Sequence, residues 1–279
     1  MSSRSTKLKV ETFEGDVPTV KLTGETDFHN RTRIMEAFEG LLAAGHSVVR
    51  ADLGELLYMD SSSLSALIRC ATKAIEAGGA IELVAASPHA SRVMNLCGAM
   101  VFFETKMRQS PAAPSKTPVP VMSGPWRVIE FDLPGAPGSA AVARAHIAEL
   151  VRSLPFDSVE AQDITIAVGE ALANAIKHGC KCDPSKQFSV KCMASQSRLE
   201  IEITDPGPGF DLDSVRKPVA SALAEGGMGI YVMREMMDEV CYTFTECTKV
   251  RLVKYVKSAR PVAADVPTDA EPAEERKCL

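Results

Sequence analysis

The chain has 279 residues, 46% of them hydrophobic and 24% charged, with a formal net charge of −5. Such a length and apolar content suit two packed domains, and mild acidity without a basic patch argues against direct nucleic-acid binding. No apolar run approaches the ~20 residues that span a bilayer, and the opening MSSRSTKLKV lacks the apolar core of a signal peptide. No membrane partner and a cytoplasmic location are therefore expected.

Lys7 to Phe13 and Val17 to Thr23 are short alternating runs around Glu14-Gly15-Asp16, a hairpin pattern. Asn30 to Ala44 has helical spacing through Ile34, Phe38, Leu41 and Leu42. Ser47 to Leu53 reads as a buried strand. After Asp60-Ser61-Ser62-Ser63 a helix is predicted on Leu64, Leu67, Ile68 and Ala71, ended by Gly78-Gly79. Ala80 to Ala85 is another strand, and Ser87-Pro88 opens a helix with Val93, Met94 and Leu96 inward. Met100 to Phe103 closes this half as a short strand. Strands alternating with helices predict an α/β domain over residues 1–106. At Asp60 a strand gives way to a helix, and three serines fall among unpaired backbone amides, as in an N-cap.

Met107 to Gly124 is proline-rich and aperiodic, a linker. A second domain is expected over 125–257. It opens with a strand from Trp126 to Leu133 and a helix from Ser139 to Leu154, with Val142, Ile147, Leu150 and Val151 inward. Phe188 to Met193 and Leu199 to Thr204 are its central strands. The tail 258–279 is rich in Pro, Ala and Glu and reads as disordered. The eight cysteines lack CxxC spacing and are expected to be reduced, core-filling thiols. His178, Cys180 and Cys182 lack a second ligand pair, so zinc is disfavoured. Cys278 has one residue after it and cannot form a prenylation box.

Chemistry concentrates in Ile164 to Gly179, ITIAVGEALANAIKHG. Ile164, Val168, Leu172 and Ile176 form an apolar stripe. Glu170 and Asn174, four apart, stack on another face among Ala167, Ala171 and Ala175. Small residues there leave room for a ligand. The strand ending at Thr204 runs into Asp205-Pro206-Gly207-Pro208-Gly209, and Gly226-Gly227-Met228-Gly229 opens a helix that continues through Ile230, Val232 and Met233. Glycines ahead of a helix let backbone amides approach a phosphate.

This order of motifs resembles the ATPase superfamily shared by gyrase, histidine kinases and mismatch-repair ATPases, and within it the anti-sigma-factor serine kinases. The resemblance runs from about Trp126 to Lys257. It implies an α/β sandwich with helices on one face of a mixed sheet, an α+β arrangement. It also implies ATP and Mg²⁺ as cofactors. Glu170 corresponds to the general base, Asn174 to the magnesium ligand and Asp205 to the acceptor of the adenine amino group. Gly207 and Gly209 would shape the pocket floor, and Gly227 and Gly229 would flank the phosphates. Arg216 or Lys217, in the lid from Phe210 to Glu225, would touch the γ-phosphate. Arg144 sits where the family meets its protein partners; a plain solvated arginine is the alternative. His146-x-x-Glu149 looks like a histidine-kinase phosphoacceptor only superficially, since no two-helix dimerisation segment precedes it.

GETDFHNRTRI and DLGELLYMDSSSLSAL resemble the STAS domain of anti-sigma-factor antagonists. The phosphorylated serine of that family falls on Ser62. Ser63 stands where the family usually has glycine, which keeps Ser61 and Ser63 in play. Together the two resemblances imply a serine kinase and anti-sigma regulator fused to an antagonist-like domain. Its partner is a STAS antagonist, in cis or in trans, and a sigma factor or other transcription regulator. A homodimer through the ATPase domain is a further expectation. The alternative is a nucleotide-gated binding module without kinase turnover.

Overall fold

The computed structural model describes residues 7–106, 126–212, 223, 227–257 and 277–278. The linker, most of the lid including Arg216 and Lys217, and most of the tail lie outside the described residues; Lys277 and Cys278 of the tail, expected to be disordered, form a short strand. The chain divides into two units, Met1–Ala113 with Arg216–Val232, and Pro114–Val215 with Met233–Leu279. No helix among the described residues is long and apolar enough to cross a membrane.

The first unit is a five-stranded sheet of β1 (Lys9–Phe13), β2 (Thr19–Thr26), β3 (Val48–Met59), β4 (Ala80–Ala86) and β5 (Glu104–Thr105), in that order. The hairpin β1–β2 is antiparallel and every later pairing is parallel. The crossovers are α1 (Arg31–Ala43), α2 (Ser61–Glu76) and α3 (Pro88–Leu96). Parallel strands need such helical crossovers, which cover the sheet and exclude water from it. Ile34 and Phe38 of α1 and Leu64, Leu67, Ile68 and Ala71 of α2 are completely buried, as their spacing predicts. Two expectations need correction. Met100 to Phe103 is not a strand: Gly98 turns the chain at φ 68°, a 3₁₀ turn follows over Ala99–Phe102, and pairing resumes only at β5. The strand expected to stop at Leu53 continues to Met59, passing a register shift at Asp52.

In the second unit, β6 (Arg127–Pro134), α4 (Ser139–Arg152) and α5 (Ser158–Asn174) are followed by a π-helical turn over Ala175–Gly179. Then come β7 (Gln187–Ala194), β8 (Arg198–Asp205), α6 (Gly229–Met236, whose residues up to Val232 are counted with the first unit), β9 (Glu239–Phe244), β10 (Thr248–Tyr255) and β11 (Lys277–Cys278). The sheet order is β11-β9-β10-β8-β7-β6 and every ladder is antiparallel. The mixed sheet of this protein is therefore that of the first unit. One face of the second sheet buries Leu199, Ile201, Ile203, Val250 and Leu252, with α4 packed on β6 and β7 and α5 on β10. On α4 the inward stripe is Ala140, Ala143, Ile147, Leu150 and Val151; Val142 is 44% exposed, against expectation. The opposite face carries charge: the Arg251 guanidinium donates to Glu200 Oε2 at 2.7 and 2.9 Å and to Glu239 Oε2 at 3.1 Å.

Candidate active site

The start of α5 is fixed by a reciprocal cap. Asp157 Oδ1 accepts from the backbone amides of Val159 and Glu160, while Glu160 Oε2 accepts from the Asp157 amide. Farther along, Lys254 of β10 donates to the Met236 carbonyl at 2.5 Å and lies 3.8 Å from the Asp163 carboxylate, tying the helix to the sheet. The helix is buried nearly all round: Ile164, Ala167, Val168, Ala171 and Leu172 are 0–1% exposed. The alanines thus do not leave an open trough, as their small size predicts; they are packed. What the fold does set apart is Glu170, a carboxyl 3% exposed, one turn before the half-buried Asn174.

Directly after Asn174 the helix widens into the π-turn, which packs against β7 and β8. Insertions of this kind are frequent at functional sites because they re-aim the residues beyond them. Here the turn ends at Gly179, seated on the end of β8. A Cβ on Gly179 would stand 2.1 Å from Asp205 Oδ1, and one on Gly207 would stand 2.6 Å from that oxygen and 2.9 Å from Gly179 Cα. Asp205 Oδ1 accepts from the Gly207 amide at 2.8 Å. Two glycines therefore leave bare backbone against one buried carboxylate. Gly209, at φ 83°, uses the left-handed conformation, and a Cβ there would meet the Phe244 ring at 2.6 Å.

Sequence reasoning missed several residues that surround Asp205. Across the sheet Asp205 pairs with Thr248, and Thr248 pairs with Phe244. The buried Thr248 hydroxyl donates to the Gly207 carbonyl at 3.1 Å, holding the turn after Asp205. Phe210 stands edge-on to Tyr242 and Phe244, with centroids 5.1 and 5.3 Å apart. Only strand pairing brings these residues together, so no local motif announces them. Gly179 reads in sequence as a helix stop rather than a contact.

Burial lifts the Asp205 carboxyl to about 6, against the opposing hydrogen bond from Gly207. Its charge in turn helps to hold the Tyr242 hydroxyl and the Cys180 thiol above their ordinary values, after burial itself. A carboxyl that binds its proton more tightly when folded stabilises the fold below 3.8, and that contribution is lost as pH rises through about 6. Acceptance of an amino N–H works the other way, since the ionised form is the stronger acceptor. With Asp205 as the acceptor that the resemblance implies, affinity for an adenine nucleotide should therefore fall roughly fivefold between pH 6 and pH 5. Calorimetric titration over pH 5 to 8 measures this, and Asp205→Asn should flatten the profile. A flat profile in the parent chain would remove Asp205 from the recognition of the base.

Gly227 (φ 82°) is exposed and Gly229 is the first residue of α6. Arg144 is 7% exposed, so it is not a solvated surface arginine. His146 stands edge-on to Phe131 at 5.1 Å, a packing contact. Among the described residues no cluster of three His, Cys, Asp or Glu side chains could hold a metal ion. Burial pushes the Cys70 and Cys192 thiols up to about 12, as befits core residues. Four cysteines depart from the expected set of reduced, core-filling thiols: Cys182 is exposed, Cys247 is half-buried, and Cys241 is disulfide-bonded to Cys278.

In the first unit, the Asp60 carboxylate caps α2. Its Oδ1 accepts from the Ser63 amide at 2.8 Å and its Oδ2 from the Phe28 amide at 2.9 Å. Ser63 is fully buried, with its hydroxyl 3.1 Å from that of Thr26, and Ser61 is 6% exposed. Ser62 is the half-exposed member of the three. The ambiguity left by Ser63 thus narrows on accessibility.

Comparison with known proteins agrees with this division. The STAS domain (Mlab) family model matches residues 10–102, and the histidine kinase-like ATPase domain model matches residues 133–254. The serine-protein kinase RsbW of Bacillus licheniformis is 29% identical over 140 residues, 47% of this chain and 88% of that protein. RsbW of Listeria monocytogenes is 26% identical over 136 residues, 46% and 87% of the two chains. A solved anti-sigma factor antagonist from Mycobacterium paratuberculosis aligns at 17% identity with a TM-score of 0.31, covering 38% of this chain and 89% of that one. One polypeptide thus carries a match to a STAS domain and, after it, a match to a histidine kinase-like ATPase domain.

Proposed function

We propose that the protein is an ATP-dependent serine kinase and anti-sigma-type regulator in a partner-switching pathway, with residues 125–257 as the kinase-like half and 1–106 as the antagonist-like half. The observation that carries this reading is the buried Glu170 one turn before Asn174, on the helix whose π-turn closes on Asp205. The residues fit an adenine nucleotide. Asp205 is an acceptor for the amino group, and the bare backbone of Gly179 and Gly207 is a floor that any side chain would fill. Asn174 offers a neutral hard oxygen of the kind Mg²⁺ accepts. When bound, the metal neutralises phosphate charge. Glu170, as general base, takes the proton from the attacking serine hydroxyl. Phosphoryl transfer otherwise rests on positioning, which the rigid junction of helix and strand supplies. Gly227 and Gly229 are proposed to flank the phosphates and Arg216 to touch the γ-phosphate.

The proposed partners are a STAS antagonist domain, in cis or in trans, and a sigma factor or other transcription regulator, with Arg144 in the partner contact. A homodimer through the ATPase domain belongs to the same reading. Ser62 is the proposed phosphoacceptor. It is the second residue of α2, where a phosphate of about −1.5 to −2 charge meets the positive end of the helix. The first unit should therefore stay folded when modified. Incubation of the full chain with γ-labelled ATP and a STAS-domain substrate, followed by mass-spectrometric mapping, tests the proposal. Label on Ser62 and its loss in Ser62→Ala are the expected results. Label on this chain confined to residues outside 61–63 overturns the acceptor assignment. Tight ATP binding without transfer to any serine identifies a nucleotide-gated binding module instead.

A further inference from the structure

Along its outer edge β9 pairs with β11, Lys277 opposite Tyr242 and Cys278 opposite Cys241, and the two cysteines are bonded across 37 residues of sequence. A ladder of two residues is too short to persist by itself, so the covalent bond is what keeps β11 in the sheet. Cys241 is 6% exposed while Cys278 is exposed, which gives a reagent access to one sulfur of the pair. Arg251, directly opposite Cys241 on β10, is held by the Glu200 and Glu239 carboxylates.

The position of the bond also bears on the site. The residue after Cys241 is Tyr242, which stacks on Phe244 with centroids 5.9 Å apart, and Phe210 closes on both rings. Phe244 bears on Gly209 and is the cross-strand partner of Thr248, itself the partner of Asp205. With β11 in place β9 is an interior strand; without it β9 is the sheet edge and its outer amides are open to water.

We propose that Cys241 and Cys278 form a reversible redox latch that pins β11 along β9 and stiffens the aromatic wall beside Asp205. The oxidant is a low-molecular-weight disulfide of the glutathione type. The Cys278 thiolate attacks one of its sulfurs, forming a mixed disulfide and releasing one thiolate. The Cys241 thiolate then attacks Cys278 Sγ and releases the second. Two protein thiols lose two electrons and two protons, and the disulfide reagent becomes two thiols. Reduction by the same thiol in excess reverses both steps.

The effect on nucleotide rests on the ATP site proposed above; the latch itself does not. The full chain is equilibrated with oxidised or reduced glutathione, digested without reduction, and followed in parallel by hydrogen exchange and by titration with ATP. In the oxidised sample a peptide joining Cys241 to Cys278 is expected, exchange over residues 239–244 slows by roughly tenfold, and ATP binds more tightly. Cys278→Ser should exchange and bind like the reduced protein in both buffers, while Cys182→Ser and Cys247→Ser keep the response. The latch is overturned if no 241–278 linkage forms, or if Cys278→Ser responds to glutathione as the parent does. A latch that forms and slows exchange in a chain that binds no ATP in either state refutes the nucleotide site and leaves the redox inference standing.

Discussion

Glu170→Gln should lower phosphoryl transfer by about 10²-fold or more while ATP still binds. The substitution keeps the side chain's volume and its hydrogen-bonding reach at a position 3% exposed, so packing of α5 is undisturbed. What it removes is the basic oxygen that would take the proton of the serine hydroxyl. Asn174→Ala should fail differently: losing a half-buried oxygen one turn later weakens binding of ATP in the presence of Mg²⁺ and leaves binding without the metal less affected. Single-turnover transfer to a STAS-domain substrate, set beside equilibrium ATP binding, separates the two. Transfer at the parent rate by Glu170→Gln would show that Glu170 is not the base.

The contrast between the two variants marks how far local sequence can reach. Glu170 and Asn174 are legible because both lie within one helical turn, and a fixed backbone period converts their spacing into a shared direction. The same logic identifies Ile34 and Phe38 on α1 and Leu64, Leu67, Ile68 and Ala71 on α2. It fails where the structure depends on events outside the window. Val142 looks inward only if the stripe of α4 is drawn through large residues; Ala140 and Ala143 occupy that face instead, because small side chains let helices approach. The π-turn after Asn174 adds one residue to a helical turn, a change no periodicity over Ile164 to Gly179 reveals. Thr248 and Phe244 reach Asp205 through strand pairing between segments about forty residues apart, and β11 joins the sheet through a covalent bond to Cys241.

Gly179→Ala should disable the proposed nucleotide site. The new carbon would stand 2.1 Å from Asp205 Oδ1, 2.3 Å from its Cγ and 2.5 Å from its Cβ. The first two atoms belong to a side chain that the Gly207 amide holds at 2.8 Å; the third moves only with the backbone of β8. Relief therefore requires the π-turn and the strand end to separate, which breaks the floor on which the adenine is proposed to rest. Overpacking of a well-filled interior costs typically 1–3 kcal/mol, and a carboxylate displaced by an ångström no longer meets the amino group. ATP affinity is expected to fall by about 10²-fold, with a lowered unfolding midpoint. Gly138→Ala is the control. That glycine, the N-cap of α4, has φ 90° but nothing within 4 Å of an added Cβ, so its cost is the backbone strain of about 1–2 kcal/mol without a clash at Asp205. Calorimetric titration with ATP, with thermal unfolding of the same samples, reads both effects. Parent-like affinity in a folded Gly179→Ala chain would mean that the adenine binds away from Asp205.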